Sequence, residues 1–437
     1  MSEVVDLLQR LVQVDTANPP GNETGAAELL REYLEDNGVR CELYAKVPER
    51  ANLVARIPGR NGGPRLLLLS HTDTVLADPA EWSVDPWSGE IKDGHVWGRG
   101  TLDMKGQVAA GAVAIASLAR EGFEPAGDLI FLAAADEEVG EGVQYGLAWL
   151  VEAHPEAVEA EYSLNEGAGD RIEIAGTPYY FCSTAEKMSA PFRIIVRGRS
   201  GHGSMPGIAD NALVKAAPLI ERLGGFRAEP EVGPEVEALL RSIFGEVPPI
   251  QQVIELAHEL HPGIGEMVEP LLSMTLSPTM IKASEKRNVI PGTCEITVDC
   301  RLLPGHTPRE AEGLIRSTLG DGDYDLEWGQ PYGGTRSALQ TPLWAAVSSW
   351  VESAEPGARA APVCVAGFTD SHWVRQRFGT VAYGFFPMRA MDPELAARLI
   401  HSADERIALE DLELGLDFLR HAAVSVGTTQ NSGLRAE

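Results

Sequence analysis

Acidic and imidazole side chains recur in four short stretches of this 437-residue sequence, three of which end or follow a predicted buried strand. "LLLLSHTDTV" carries His71 and Asp73, "GRGTLDMKG" carries Asp103, "LAAADEEVG" carries Glu137 and Glu138, and "YSLNEGAG" carries Glu166. A fifth candidate is His401 in "RLIHSADERI". Side chains of these types bind metal ions or transfer protons.

If these groups converged without a cation, the carboxylates would repel one another and their pKa values would rise steeply. A pair of divalent metal ions removes the conflict, because imidazole and carboxylate ligands together suit zinc and its neighbours. One bridging carboxylate can hold two metals ~3.5–4 Å apart. Asp103 is the predicted bridge. The glycines around it would allow the backbone to approach the ions closely.

Each stretch also has an ordinary structural interpretation. A His-x-Asp pair occurs by chance in many chains, and acidic residues after a strand commonly form a solvated turn. An aspartate in a glycine-rich loop is usually there for turn chemistry, and His401 could simply begin a surface helix. The occurrence of all these stretches in this order favours a metal site.

The elements that must position these residues alternate between helix and strand in the first third of the chain. "EVVDLLQRLVQV" and "TGAAELLREYLEDNG" have apolar residues at helical spacing. "NLVARIPG", "PRLLLLSHTDTV" and "DLIFLAAADEEVG" are apolar runs typical of strands buried on both faces. This alternation predicts an α/β fold with a mixed, mostly parallel sheet flanked by helices. In such a sheet the ligand site lies beyond the carboxyl ends of the strands, where the loops would meet.

The pattern changes at about residue 188. "APFRIIVRGRSGHGS", "SMTLSPTMIKAS" and "GTCEITVDCRLLP" alternate at period two and bracket helices. With "TPREAEGLIRSTLGDGDYDLEW" they give a β-α-β-β-α-β outline, which predicts a small α+β, ferredoxin-like domain. After about residue 329 the earlier alternation returns. We therefore expect residues 1–187 and 329–437 to form a catalytic, metal-binding domain that is interrupted by an inserted domain at 188–328.

The composition excludes several classes of partner. Lys plus Arg number 36 against 64 Asp plus Glu, and the formal net charge of −28 would repel nucleic acid or an anionic membrane. No stretch approaches the ~18 apolar residues of a membrane span, and no basic region precedes a long apolar run at the start. The five cysteines show no CxxC pair and are expected to be buried and unpaired. We expect a cytoplasmic protein with neither nucleic acid nor membrane as a partner.

Nearly the whole sequence resembles the zinc metallopeptidase and deacylase family that includes aminoacylase, acetylornithine deacetylase, succinyl-diaminopimelate desuccinylase and glutamate carboxypeptidase. The resemblance lies in the order of "HTDTV", "GRGTLDMKG", "DEEVG", "NEG", "SGHGSMP", "NVIPG", "DCRLLPG", "GFTDS" and "HSADERI". It implies two divalent metal ions, zinc or else cobalt or manganese, with Asp103 as the bridge. His71 and His401 would each bind one metal, and Glu138 and Glu166 would each complete one shell.

The resemblance also implies residues that support the ligands or act on the substrate. Asp73 matches an acid that orients the His71 imidazole and raises its basicity. Glu137, directly before a ligand, matches the general base. The inserted domain is similar to the family's lid and dimerisation domain, in which His202 would stabilise the oxyanion, in some relatives from the partner subunit. A homodimer is therefore expected.

Asn288 of "NVIPG" and Arg301 of "DCRLL" match positions that grip a substrate carboxylate, a task that suits a guanidinium fork. An ordinary salt bridge for Arg301 and a turn role for Asn288 remain alternatives. His372 in "GFTDSHWVR" either contacts substrate or is a structural histidine. The segment between His202 and Asn288 is longer than in compact members of the family, so substrate preference does not transfer.

The expected reaction is hydrolysis of an amide or peptide bond in an N-acyl amino acid or a small peptide with a free carboxylate. Two alternatives stay open. One is hydrolysis of an N-carbamoyl amino acid, which would release ammonia and carbon dioxide. The other is a catalytically silent metal-binding protein on the same scaffold, against which the intact Glu137 and His202 argue.

Overall fold

The computed structural model describes residues 2–60, 62–138, 144–260, 268 and 270–429. Part of the predicted "DEEVG" motif and part of the long segment before Asn288 lie outside these residues. The described residues fall into two compact units. The first unit runs to Thr184 and includes Ser337–Val363 and the chain from Thr369 onward; the second contains Ala185–Arg336 and Cys364–Phe368.

The helices of both units are given first, in chain order. Their bounds are α1 (Glu3–Val12), α2 (Thr24–Asp36), α3 (Lys105–Arg120), α4 (Leu147–Ala153), α5 (Pro155–Val158), α6 (Ala212–Gly224), α7 (Pro234–Phe244), α8 (Ile250–Leu260), α9 (Pro308–Leu319), α10 (Pro342–Ala354), α11 (Ser371–Phe378), α12 (Pro393–Leu399) and α13 (Leu409–Gly427). Across the described ranges, none of the helices combines the length and the apolar character that crossing a membrane requires.

The strands vary in length from two to ten residues. Their bounds are β1 (Arg40–Ala45), β2 (Ala51–Ile57), β3 (Leu66–His71), β4 (Ile91–Lys92), β5 (His95–Trp97), β6 (Leu129–Ala134), β7 (Tyr162–Asn165), β8 (Arg171–Ile174), β9 (Thr177–Glu186), β10 (Met188–Ser189), β11 (Phe192–Arg197), β12 (Gly201–His202), β13 (Thr275–Lys282), β14 (Val289–Ile290), β15 (Thr293–Leu302), β16 (Tyr324–Trp328), β17 (Tyr332–Gly333), β18 (Arg359–Val365), β19 (Val381–Gly384) and β20 (Arg406–Ala408).

The nine-stranded sheet of the first unit has the order β1-β2-β6-β3-β7-β19-β9-β18, with β8 paired to β9. β3 is parallel to both β6 and β7, and β19 is parallel to β7. β2 runs antiparallel to β1 and β6, and β9 runs antiparallel to β19 and β8. The predicted mixed α/β sheet is confirmed, and the four central strands β6, β3, β7 and β19 pair in parallel.

Helices cover both faces of this sheet. One face carries a core to which α1, α2, α3, α10 and α13 contribute, and the other carries a core with α4, α5 and α11. β3 is buried along its whole length, as its continuous apolar run predicts. α3 is rich in small residues, and a Cβ at Gly111 would lie 2.8 Å from the Phe131 ring. The absence of a side chain at Gly111 therefore lets the middle of α3 pack closely on β6.

In the second unit β11, α6, β13, β15, α9 and β16 follow one another in the predicted β-α-β-β-α-β order, with α7 and α8 formed by the long segment before β13. The main sheet has the order β16-β11-β15-β10-β17, with β13 also paired to β15. Every second residue of β15 is buried, and the covered face packs on α6 and α9. This half-buried sheet explains the period-two alternation in the sequence.

The parallel strands of the first unit bring the predicted chemistry to one sheet edge. β3 ends at His71, and its register places that residue opposite Ala134 at the end of β6. β7 ends directly before Glu166. Since carboxyl ends of parallel strands share an edge, the loops that follow them lie together.

The five cysteines are free, and all except Cys41 are buried. The expectation that the cysteines are buried as small apolar side chains is confirmed for four of the five, whereas Cys41 is half-buried.

Candidate metal centre

Five side chains from separate segments of the chain converge beyond this sheet edge. His71, Asp103 and Glu166 form a first trio whose ligand atoms all lie within 4.8 Å of one another. Asp103, Glu138 and His401 form a second trio that meets the same limit. Asp103 therefore belongs to both trios. All five residues are those that the family resemblance implies as metal ligands.

The two carboxylate oxygens of Asp103 face different trios. Oδ1 lies 3.1 Å from Nε2 of His71, whereas Oδ2 lies 3.1 Å from Nε2 of His401. Oε2 of Glu166 is 3.7 Å from the same nitrogen of His71, and Oε2 of Glu138 is 3.2 Å from that of His401. A carboxylate with one oxygen toward each trio has the geometry required to bridge two cations.

The ring of His71 is oriented by the loop that follows it. Nδ1 lies 3.0 Å from the backbone carbonyl oxygen of Asp73. Because a carbonyl oxygen only accepts, the neutral ring must carry its proton on Nδ1. Nε2 then directs a lone pair toward Asp103 and Glu166, which is the form of imidazole that binds a metal ion.

Glycines shape the loop that delivers Asp103. Gly98 and Gly100 have φ angles of +151° and +84°, a region that favours glycine because it has no Cβ. A Cβ at Gly100 would lie 2.6 Å from Cγ2 of Thr74. The loop therefore passes close to the segment that leaves β3, which brings Asp103 and His71 together.

The charges in the two trios perturb one another. Hydrogen bonds to Asp103 and Glu138 raise the pKa of His401 to about 10. Burial and the charge of Asp103 raise the pKa of Glu166 to about 7. Burial would lower the pKa of His71, but Glu166 and the neighbouring carboxylates outweigh burial and raise that pKa well above its ordinary value. A pair of cations would relieve this crowding, because each would pair with several carboxylates at once.

The donor set fits divalent cations such as zinc. Imidazole nitrogen and carboxylate oxygen are ligands that zinc prefers. Oε1 of Glu138 is buried and has no hydrogen-bond partner among the described residues. An unsatisfied buried carboxylate oxygen is costly, and a cation bound beside Oε1 of Glu138 would satisfy it.

Glu137 lies beside the trios without belonging to either. Its backbone N–H donates to Oδ1 of Asp73 at 3.1 Å, and the N–H of Glu138 donates to Oδ2 of Asp73 at 3.0 Å. Burial and the charge of Glu166 raise the pKa of Glu137 well above its ordinary value. A carboxylate in this position is suited to accepting and returning a proton near neutral pH.

Asp73 connects the loop of His71 to the loop of Glu137 and Glu138. It is fully buried, and its Oδ2 also accepts a hydrogen bond from Nδ2 of Asn18 at 2.8 Å. Burial opposes ionisation, but the contacts with His71 and Asn18 outweigh it and lower the pKa of Asp73. An ionised carboxylate next to a metal-binding imidazole orients the ring and raises its basicity.

A buried polar network behind Asp73 was not anticipated from the sequence. Nδ2 of Asn18 is also 3.2 Å from Oδ1 of Asp136, and this oxygen accepts from Nη2 of Arg50 at 2.8 Å. Arg50 makes two further hydrogen bonds to Glu23, at 2.6 and 2.7 Å. These residues lie on loops without periodicity, so only their polar types were visible in the sequence.

In the second unit, His202 and Asn288 lie close together. His202 on β12 pairs with Val289 on β14, the residue after Asn288. The backbone N–H of Ser204 donates to Nδ1 of His202 at 3.2 Å. Because Nδ1 accepts this bond, the neutral ring carries its proton on Nε2, which makes Nε2–H a hydrogen-bond donor.

Arg301 and His372 have protein partners. Arg301 on β15 forms two hydrogen bonds with Asp299, at 2.8 and 3.0 Å. The salt bridge considered as an alternative for Arg301 is therefore present. Nδ1 of the buried His372 is 2.7 Å from the carbonyl oxygen of Thr369, which gives this ring at least one structural contact.

Comparison with known proteins defines the class of this protein as a metal-dependent hydrolase. Residues 67–425 match the family model described as peptidase family M20/M25/M40, and the chain belongs to that family. The match confirms both the family resemblance and the expected class of enzyme.

Relatives and a solved structure extend the match over most of the chain. A succinyl-diaminopimelate desuccinylase from Cereibacter sphaeroides is 29% identical over 423 residues, which is 94% of this chain and 95% of the relative. The N-fatty-acyl-amino acid synthase/hydrolase PM20D1 from Xenopus tropicalis is 28% identical over 80% of this chain and 70% of its own length. The M20 family metallo-carboxypeptidase Sso-CP2 from Sulfolobus solfataricus has a TM-score of 0.74 at 18% identity, and the match covers 98% of this chain and 100% of that chain. The last comparison confirms the fold.

Proposed function

We propose that the chain binds two zinc ions and hydrolyses the amide or peptide bond of an N-acyl amino acid or a small peptide that carries a free carboxylate. The observation that carries this proposal is the position of Asp103 between the two trios. The names of two relatives, a desuccinylase and an acyl-amino acid hydrolase, support N-acyl amino acids as the substrate class.

His71 and Glu166 would hold one ion, and Glu138 and His401 the other, with Asp103 shared between them. Bound there, a pair of divalent ions would lower the pKa of a water molecule toward neutrality and polarise the scissile carbonyl. Zinc, cobalt and manganese all accept these ligands, and zinc is proposed because it binds imidazole nitrogen and carboxylate oxygen together in catalytic sites.

Glu137 would act as the general base and then as the general acid. Its carboxylate takes a proton from the attacking water and returns it to the nitrogen of the leaving amine. The hydrogen bonds from the N–H groups of Glu137 and Glu138 to Asp73 hold the backbone of both residues. This support lets one side chain serve as a ligand while its neighbour remains free for proton transfer.

Residues of the second unit would bind the substrate. His202 would donate its Nε2–H to the oxyanion, and the hydrogen bond from Ser204 that fixes this tautomer supports the role. Removing one such donor costs ~3 kcal/mol of transition-state stabilisation. Arg301 engages Asp299 through Nε and Nη2, so the N–H groups of Nη1 would remain for the substrate carboxylate, with Asn288 as a second donor.

We also propose a homodimer that forms through the second unit. Apolar side chains are exposed there on neighbouring elements, including Val214 on α6 and Met280 on β13, which are 66% and 69% exposed. Sedimentation equilibrium is expected to give twice the mass of one chain.

A cytoplasmic location stays a prediction from the sequence.

A substrate panel tests the proposed reaction. Purified protein loaded with Zn²⁺ is incubated with N-acetyl, N-succinyl, long-chain N-acyl and N-carbamoyl amino acids and with dipeptides. Release of the free amino acid is followed by mass spectrometry, and ammonia is measured in parallel. We expect amino acid release without ammonia, whereas ammonia from the N-carbamoyl substrates alone would identify the carbamoyl hydrolase.

The methyl ester of the best substrate tests the need for a free carboxylate. We expect kcat/KM to fall by about 10²-fold or more, since an Arg–carboxylate pair contributes a few kcal/mol. Equal rates for the acid and its ester would contradict the proposed carboxylate recognition.

A further inference from the structure

A buried carboxylate from the His401 segment holds the loop that carries Asp103. Glu405 lies four residues after His401 and is fully buried. Its Oε1 accepts the backbone N–H of Leu102 at 2.7 Å and that of Asp103 at 3.1 Å. Its Oε2 accepts the N–H of Gly100 at 3.0 Å. One side chain thus binds three backbone N–H groups of a single loop.

The negative charge of Glu405 is balanced locally. Nη1 of Arg99 lies 2.6 Å from Oε2 of Glu405, and both side chains are at most 3% exposed. The guanidinium of Arg99 also lies over the ring of Trp82, 5.2 Å from its centroid. Because Arg99 neutralises it, Glu405 acts on the loop through directional hydrogen bonds more than through its net charge.

The backbone of Glu405 makes a further connection to the same loop. Its carbonyl oxygen accepts the N–H of Gly98 at 2.9 Å, and the next residue, Arg406, pairs with Trp97 where β20 meets β5. The loop that carries Asp103 and the segment that carries His401 are therefore joined by both backbone and side-chain contacts. Movement of one would displace the other.

We propose that Glu405 is a positioning residue for the bridging carboxylate. It fixes the backbone of Asp103 relative to His401, so that the two oxygens of Asp103 face the two trios. The inference rests on the proposed function. Residues that orient a metal ligand in this way typically change metal affinity by about 10–100-fold when they are replaced.

A purely structural role is the competing explanation, and Asp411 provides a matched control. Asp411 is also fully buried. It accepts the backbone N–H groups of Arg389, Ala390 and Met391 at 2.7, 2.8 and 2.9 Å. That loop carries no member of either trio, so replacing Asp411 removes a comparable set of hydrogen bonds without removing any bond to the loop of Asp103.

The test is a titration of metal-free protein with Co²⁺, followed by visible absorption, for the wild type, E405Q and D411N. We expect the wild type to bind two equivalents and D411N to match it within about threefold. E405Q keeps one acceptor oxygen but presents an amide group to Gly100 and Arg99. We therefore expect at least one equivalent to bind about 10–100-fold more weakly, with an altered spectrum.

E405D is a second variant, which keeps the negative charge. If E405Q does not fold, the same Co²⁺ titration is made with E405D. Its shorter side chain cannot span from Gly100 to Asp103, so the same loss of affinity is expected.

Wild-type affinity and spectrum in the Glu405 variants would overturn the inference and leave the proposed function intact. Equal weakening in D411N would also overturn it, by showing a general effect of lost stability. A wild type that binds no Co²⁺ would overturn the proposed function itself.

Discussion

His401 and Asp103 are far apart in the sequence, yet Nε2 of His401 lies 3.1 Å from Oδ2 of Asp103. His401 has a φ angle of +60°, a left-handed conformation that residues other than glycine rarely adopt. Such a conformation costs about 1–3 kcal/mol and persists only where surrounding contacts determine it. We interpret it as a requirement for aiming the imidazole at the shared carboxylate.

Replacing Glu137 with Gln tests proton transfer separately from metal binding. The amide cannot accept the proton of water, so kcat should fall by about 10²–10⁴-fold. Glu137 belongs to neither trio, so the variant should still bind two metal ions. Steady-state kinetics and metal analysis of the same preparation measure both properties. Retention of most of the activity would show that another group is the base.

Asn18 is expected to influence the centre through Asp73 although it belongs to neither trio. The Asn18→Ala variant removes the 2.8 Å hydrogen bond to Oδ2 of Asp73, which loosens the support of His71. We expect kcat/KM to fall by about 10-fold or more, with weaker metal binding. Asn37→Ala is the control. It also removes a hydrogen bond donated by an asparagine Nδ2, in this case to the carbonyl oxygen of Tyr33, and neither residue belongs to a trio. Equal effects of both variants would argue against a specific role for Asn18.

The parts of the centre that follow strands could be predicted from the sequence. The apolar run that ends at His71 indicates a strand buried on both faces, and β3 is such a strand. Parallel neighbours then carry the loops of Glu138 and Glu166 to the same edge, which is a general property of these sheets. The ferredoxin-like order of the second unit was visible because its strands are buried on one face and alternate.

Other features depend on contacts between distant segments and left little trace in the sequence. Glu405 and Arg50 are charged residues in loops, which usually indicates solvent exposure, yet both are buried because partners far along the chain neutralise them. The direction of β2 relative to β6 is also not encoded in burial, since buried parallel and antiparallel strands look alike in sequence. For this reason the sequence predicts a mixed sheet but does not show that both pairings of β2 are antiparallel.

Arg50→Met should strongly destabilise the first unit. The substitution leaves the carboxylates of Glu23 and Asp136 buried without their cation. Breaking a buried ion pair in this way costs about 3–5 kcal/mol, measurable by urea unfolding. Arg40→Met is the control, because Arg40 and its partner Glu42 are 81% and 47% exposed and such pairs contribute about 0–1 kcal/mol. Similar losses in both variants would contradict the buried network.

Asp170 should make the stability depend on pH in the acidic range. Burial raises its pKa from 3.8 to about 6, so the folded state binds more protons than the unfolded state between these values. The contribution of the Asp170 carboxyl to the free energy of unfolding therefore falls as the pH rises from about 4 to 6, and it stays low above pH 6. Asp170→Asn removes this penalty and should stabilise the protein at pH 7 by up to about 3 kcal/mol. Denaturant unfolding should show the gain disappearing near pH 4; a gain that does not vary with pH would contradict the assignment.

Anomalous X-ray diffraction at the zinc absorption edge would show directly whether Asp103 bridges two metal ions. Crystals of the Zn²⁺-loaded protein should show two anomalous peaks ~3.5–4 Å apart, one on each side of the Asp103 carboxylate. His71 and Glu166 should contact one peak, and Glu138 and His401 the other, at about 2.0–2.2 Å. A single peak, or two peaks that are both beyond bonding distance of Asp103, would show that Asp103 does not bridge two ions.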